Sequence, residues 1–420
     1  MIKAMMKALK KTGVYALSIV FVLSGCVTNG GSSGGLPSFK VGPKLSSFFN
    51  PGRVAVVDEN KTKLDIIVPV FDPGLSEDGE NYKEKGVWPE LRRAEANRFA
   101  YKMKLALEKT KAFGAVRVTP NTEASGDLYV IGKIIQSNGE DVEIGIKVVD
   151  IAGNVWIDSS FDHTVDEGFD KNPRKKGQDS YDPVFEDAAN YIAIELEGHP
   201  DKELANLQKI TALRFAANLS EDGFKENLKI DGDRYQLVRY PSPDDPMLER
   251  VRSIRVRDQL FVDELQEQYQ VFSDLMEISY LAWQEQSREE LKAASEARKK
   301  AAGEAALGVL AIGLAVLAVA AGSRSNSSTG QSAGLLAGVA AGATGAGLLQ
   351  QSFQTSAETE VYKDALEELG QSIDIELSPR VMAFEKQTVK LTGTAKQQFQ
   401  QWRDFLQKIY EKERTPNKKL

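Results

Sequence analysis

The chain has 420 residues, a length that predicts two or three domains. Hydrophobic residues make up 42% and charged residues 27%, ordinary globular usage that excludes a wholly disordered or collagen-like chain. With 53 basic and 60 acidic side chains the formal charge is −7, which argues against a broad nucleic-acid surface, since phosphate binding wants a basic face. One Cys and two His exclude a Cys/His metal cage within one chain and any intrachain disulfide. No cofactor, metal or nucleic-acid partner is expected.

Residues 1–25 read as an export signal. Lys3, Lys7, Lys10 and Lys11 give a basic start with no acid, and an apolar run from Val14 to Leu23 follows. That run is too short to span a hydrocarbon core of about 30 Å as a helix. Leu23-Ser24-Gly25-Cys26 then resembles the bacterial lipobox, a small-residue cleavage site ending in the Cys that takes the lipid. The resemblance implies fatty acylation, of the palmitate type, at Cys26. Val27 stands where Asp usually signals inner-membrane retention, so the resemblance implies the outer membrane, facing the periplasm. Residues 26–52 form a lipidated tether, flexible over the Gly/Ser-rich stretch 28–35.

Residues 53–166 predict an α/β periplasmic domain with a mainly antiparallel sheet. Period-2 patterns mark strands at 53–57 and 64–71, and Pro69 places the second at an edge or a bulge, because it cannot donate to a ladder. A helix is predicted from Pro89 to about Lys111, ended by Phe113-Gly114. A short strand at 115–118 precedes a meander. Within it, 127–135 turns at Asn138-Gly139 into a strand whose Val142, Ile144, Ile146 and Val148 share one face. Gly153-Asn154 then turns into a strand carrying Val155, Ile157 and Phe161.

This order of elements, with IIVPVFDPG at 66–74, FGAVRVTP at 113–120, ASGDLYVIGKI at 124–134 and IKVVDIAGNVWIDSSF at 146–161, resembles a known group. It is similar to the periplasmic domain of the curli-secretion (CsgG-like) lipoprotein family. It also resembles the amino-terminal domain of TolB and of the lipoprotein activators of peptidoglycan synthases. The curli family implies an oligomeric secretion channel, although its membrane-spanning β-hairpins are not evident in this sequence.

Residues 168–183, with Lys-Asn-Pro-Arg-Lys-Lys at 171–176, read as a solvated loop. The helical region 184–302 breaks at Gly198-His199-Pro200 and around Gly223 and Gly232. Residues 247–302 contain neither Gly nor Pro and predict one long helix. Val251, Ile254, Val262, Leu265, Tyr269, Phe272, Met276, Tyr280 and Trp283 form its packing seam, which Asp258 interrupts. The seam faces either other helices of this chain or a second copy. From Gln284 to Lys300 the pattern is polar and stalk-like.

Residues 303–351 read as an apolar glycine-zipper helical hairpin, its arms at 305–322 and 333–349 and a polar turn between them. Gly330, Gly334, Gly338 and Gly342 recur every four residues and line one side of a helix, where bare backbone permits close helix packing. Two placements stay open: insertion in a bilayer, with the 305–349 hairpin contacting lipid, or burial in a helical core or oligomer. The carboxyl-terminal cap at 356–412 predicts a helix over 358–377, one strand at 387–392, and a capping box, Thr394 with Gln397, before a final helix.

Catalytic motifs are scarce. Gly330-Gln-Ser332-Ala-Gly334 fits G-x-S-x-G, but no strand precedes it and both His163 and His199 come earlier in the chain, contrary to the order a nucleophile elbow requires. Asp231-Gly-Asp233 reads as a turn rather than a calcium loop. His163 and His199 read as surface or capping residues. The fold class expected is α+β, and the chain is expected not to be an enzyme. The leading expectation is a lipoprotein of envelope assembly, secretion or scaffolding that forms a homo-oligomer. It is held to membrane lipid through Cys26, with an unidentified periplasmic protein partner. The alternative is a regulatory module that docks on a cell-wall synthase.

Overall fold

The structure, a computed structural model, describes residues 58, 60–76, 82, 87–242, 244–305, 357–384 and 386–413. Residues 53–57, the tether and residues 306–351 of the predicted 303–351 hairpin lie outside them.

The fold is α+β. A five-stranded sheet has the order β2-β1-β3-β4-β5, built from β1 (Ile66–Pro69), β2 (Val116–Thr119), β3 (Leu128–Ser137), β4 (Asp141–Asp150) and β5 (Val155–Thr164). The meander β3-β4-β5 is antiparallel, as its turns require. β1, however, pairs parallel to both β2 and β3, so one end of the sheet departs from a simple meander. That pairing follows from the crossover between β1 and β2, which contains α1 (Pro89–Thr110) and so brings the chain back in the same direction.

β1 is therefore interior, and Pro69 is accommodated by a bulge rather than an edge. Ile67 pairs with Tyr129 and Asp72 with Lys133, five residues along one chain against four along the other. Val142, Ile144, Ile146 and Val148 point together into the core, each almost fully buried. Helices α1 and α2 (Asp182–Gly198) cover that face. Phe99 of α1 sits at its centre, edge-on to Phe71, Tyr181 and Phe185, with ring centroids 5.0–6.5 Å apart.

Helix α3 (Asp201–Leu219), a helical turn at Glu221–Phe224 and the hairpin β6 (Leu228–Asp231) and β7 (Arg234–Leu237) lead to α4 (Pro246–Ala305). Asp231-Gly232-Asp233 is the turn of that hairpin, with Gly232 at φ +60. At 1.5 Å per residue, the 60 residues of α4 span about 90 Å. Its predicted seam is buried throughout, from Val251 to Trp283, against this chain's own α1, α3, β2, α5 (Ala357–Leu369) and α6 (Ala395–Glu413). One continuous hydrophobic core joins the sheet, α4 and the carboxyl-terminal segment.

The carboxyl-terminal part differs from the sequence reading. The helix begun at Ala357 ends at Leu369, not Leu377, and β8 (Glu376–Phe384) pairs antiparallel with β9 (Gln387–Thr394). The cap thus has two strands, and Pro379 lies inside the first. A register shift between Leu377 and Arg380 absorbs it. The capping box forms as predicted: Gln397 Oε1 accepts from the Thr394 N–H at 3.0 Å and Thr394 Oγ1 from the Gln397 N–H at 3.3 Å. Phe399 and Trp402 of α6 then stack on Phe261 of α4.

Candidate functional site

The feature with the most built chemistry is the junction that fixes α4 to the sheet. It has three anchor points along the helix. At the first, Gln266 reaches the exposed edge of β2, donating to the Val118 carbonyl at 2.9 Å and accepting the Val118 N–H at 2.8 Å. Its carboxamide takes the place of a neighbouring strand. Arg117, one residue before, is salt-bridged to Asp263 one turn earlier on α4 at 2.5 Å.

The second anchor is buried and ionic. Arg98 of α1 has no exposed side-chain surface, and its guanidinium contacts the Asp179 carboxylate at 2.6 Å and that of Glu277 at 2.5 Å. It also donates to the Ser273 carbonyl at 3.1 Å and lies over the Tyr280 ring at 4.7 Å. Burial alone would raise the Asp179 pKa, but Arg98 and then Lys102 outweigh it and hold the carboxyl at about 2. For Arg98 burial pulls downward, yet the Asp179 and Glu277 charges raise its pKa further. Next to it, burial pushes the Glu95 carboxyl up against the attraction of Arg92. Tyr280 and Ser137 hydroxyls donate to that carboxyl.

The third anchor lies at the start of the stretch read as polar stalk. Gln284 and Ser287 are in fact buried. Gln284 donates to Asp179 at 2.9 Å and accepts from the Ser180 hydroxyl at 3.0 Å. Arg288 donates to the Gly139 carbonyl at 2.9 Å and forms a salt bridge with Asp170 at 2.5 Å. The predicted Asn138-Gly139 turn therefore has a second role. Gly139, at φ +95, leaves no room for a side chain, because a Cβ there would lie 2.4 Å from Ser287 Cβ.

The segment after β5 is consequently solvated only in part. Lys171 to Gln178 are exposed, as expected, but Asp179, Ser180 and Tyr181 are buried and pin its far end. Past Ser287, no side chain from Arg288 to Ala297 is buried, and the helix runs on to Ala305. The 18 residues from Arg288 to Ala305 make up about 27 Å of helix.

Cys26, Gly330, Gly334, Gly338 and Gly342 lie outside the described residues, as does the G-x-S-x-G match at 330–334. His163 sits in β5 opposite Val142, and burial lowers its pKa. His199 stacks on Trp156 at 3.9 Å and contacts Glu203 at 3.1 Å. Among the described residues no cluster of three or more His, Cys, Asp or Glu is placed to hold a metal, and no helix is long and apolar enough to cross a membrane.

Sequence reasoning missed Arg98, Asp179 and Gln266 as junction residues. Local pattern carries no signal for Arg98, because neighbours on a helix point about 100° apart and preceding the core residue Phe99 does not imply burial. No known family model, curated protein or solved structure matches this chain.

Proposed function

We propose that this chain is a non-enzymatic outer-membrane lipoprotein that acts in envelope assembly, secretion or scaffolding through self-association. The lipid on Cys26 holds it to the membrane surface, and the folded body faces the periplasm. The observation that carries this reading is α4. It is a single helix anchored to the sheet at three points, and it runs unbroken to Ala305, where the uncharged, glycine-rich sequence begins. A rod fixed in this way transmits position between body and apolar segment, which is a scaffold's task rather than an enzyme's. The outer face of α4 adds support for association with a second copy. Val271, Leu275 and Ile278 are 46%, 65% and 72% exposed at i, i+4 and i+7 spacing.

The test is fractionation of cells expressing the full chain, with sizing of the detergent-extracted protein. Wild type is expected in the outer-membrane fraction as an oligomer. Cys26→Ala is expected to leave the membrane, and Gly338→Leu to lose the oligomer. A freely soluble, monomeric, unacylated wild type would overturn the reading.

A second reading, docking on a cell-wall synthase, is favoured by the open face of the sheet, where Ile131, Ile135 and Val155 are exposed. Under it Gly338→Leu leaves partner capture intact and Ile135→Asp abolishes it.

A further inference from the structure

Asp258 stands where the α4 seam would otherwise be apolar, and it is 2% exposed. Its Oδ1 is buried and has no hydrogen-bond partner. A carboxylate oxygen withdrawn from water without a donor is costly, so it presents an unmet demand for a ligand. The side chain lines a cavity of about 270 Å3 between α3, α4 and α6.

The walls define what would fit. Phe215 and Leu219 of α3 and Leu406 of α6 are apolar, and Asn218 and Gln407 offer amides at the rim. The cavity lies against the last turn of α3, the negative end of that helix, and this turn contains no basic residue to offset it. Asp404 adds a second acid at the mouth. Arg403 of α6 also lines the cavity, and Arg255 acts on Asp258 through its charge. Arg403 is committed to the turn at Glu123, donating to its carbonyl at 2.7 Å and pairing with its carboxylate at 3.8 Å. Arg403 and Arg255 pull the Asp258 pKa down, but burial outweighs both and lifts the carboxyl to about 6. Neither cation hydrogen-bonds the buried Oδ1 of Asp258.

We propose that this cavity binds a small alkylammonium ion, its charged head on Asp258 and its methylenes against Phe215, Leu219 and Leu406. An ammonium supplies three donors in a compact head, which suits a lone buried acceptor beside a helix C-terminus. A short aliphatic chain suits the volume. A divalent metal fits less well, because no third ligating side chain converges there. The proposal is independent of the scaffold reading above.

Calorimetric titration of the detergent-solubilised full chain with n-pentylamine tests it, with 1-pentanol and calcium chloride as comparators. Saturable binding of one pentylamine per chain is expected, with at least a tenfold weaker response to pentanol and none to calcium. Asp258→Asn keeps the shape, removes the charge, and is expected to weaken pentylamine binding at least tenfold. Asn218→Trp, at an exposed rim position away from the core, is expected to block entry. Equal binding of pentanol, calcium binding at this site, undiminished pentylamine binding by either variant, or no pentylamine binding at millimolar concentration would each overturn the proposal.

Discussion

The Gln266 side chain forms the same pair of hydrogen bonds with Val118 that a neighbouring β-strand would form, at 2.8 and 2.9 Å. One residue of the long helix thereby closes the edge of β2. Gln266→Leu is expected to leave the Val118 N–H and carbonyl without these partners, at a cost of about 1–3 kcal/mol in chemical denaturation. Gln266→Glu keeps the acceptor but loses the donor, so its loss should be smaller near Val118 N–H and complete at the carbonyl. Unchanged denaturation midpoints for both variants would show that the edge is closed by something else.

The Arg98 junction is a buried ion pair, and breaking one side strands a charge. Arg98→Met is expected to destabilise the fold by about 3–5 kcal/mol. It should also free the segment that Asp179 holds. Trypsin cleavage at Lys171, Arg174, Lys175 and Lys176 is then expected to quicken relative to wild type, and equal cleavage rates would refute the clamp.

The same pair has a pH signature. Asp179 is held at about 2 in the folded chain, below the ordinary carboxylate value near 3.9. The unfolded chain therefore binds the proton more tightly, and the stability this pair gives is full above about pH 4. It falls away as pH drops toward 2. Denaturation midpoints measured between pH 2 and pH 5 should decline more steeply for wild type than for Arg98→Met.

Asp258 has the opposite sign. Its folded value of about 6 lies above the unfolded one, so the folded chain holds the proton more tightly. The penalty for the buried charge is present above pH 6 and is relieved as pH falls toward 4. Asp258→Asn is expected to raise stability at pH 7.5 by on the order of 2 kcal/mol and to approach wild type below pH 4. A variant that is less stable at pH 7.5 would show that the carboxylate is compensated.

Gly370 ends α5 against α1. A Cβ there would stand 1.9 Å from the Glu90 carbonyl oxygen, and Arg93 donates to the Gly370 carbonyl at 2.6 Å. Backbone cannot yield as a flexible side chain can, so Gly370→Ala should push α5 off α1. Faster amide exchange across Ala357–Leu369, with β3–β5 unchanged, is the expected result. Wild-type protection in α5 would count against it.

Much of the fold was written into local pattern. Alternation at Val142, Ile144, Ile146 and Val148, the Asn138-Gly139 turn, Pro89 opening α1 and Thr394 with Gln397 opening α6 all rest on neighbours within a few residues. Those effects act through backbone geometry and one apolar face, so they can be read in one dimension. The seam of α4 was equally legible, and so was the break at Asp258. What tertiary structure decided was pairing. β1 lies between β2 and β3, which no strand's own composition specifies, and this makes the pairing parallel and moves Pro69 to a bulge. Likewise Arg98, Asp179 and Glu277 are 81 and 98 residues apart in succession, and only the fold sets one against the others. A polar residue's cost or benefit depends on what surrounds it after burial, and that environment is assembled from distant parts of the chain.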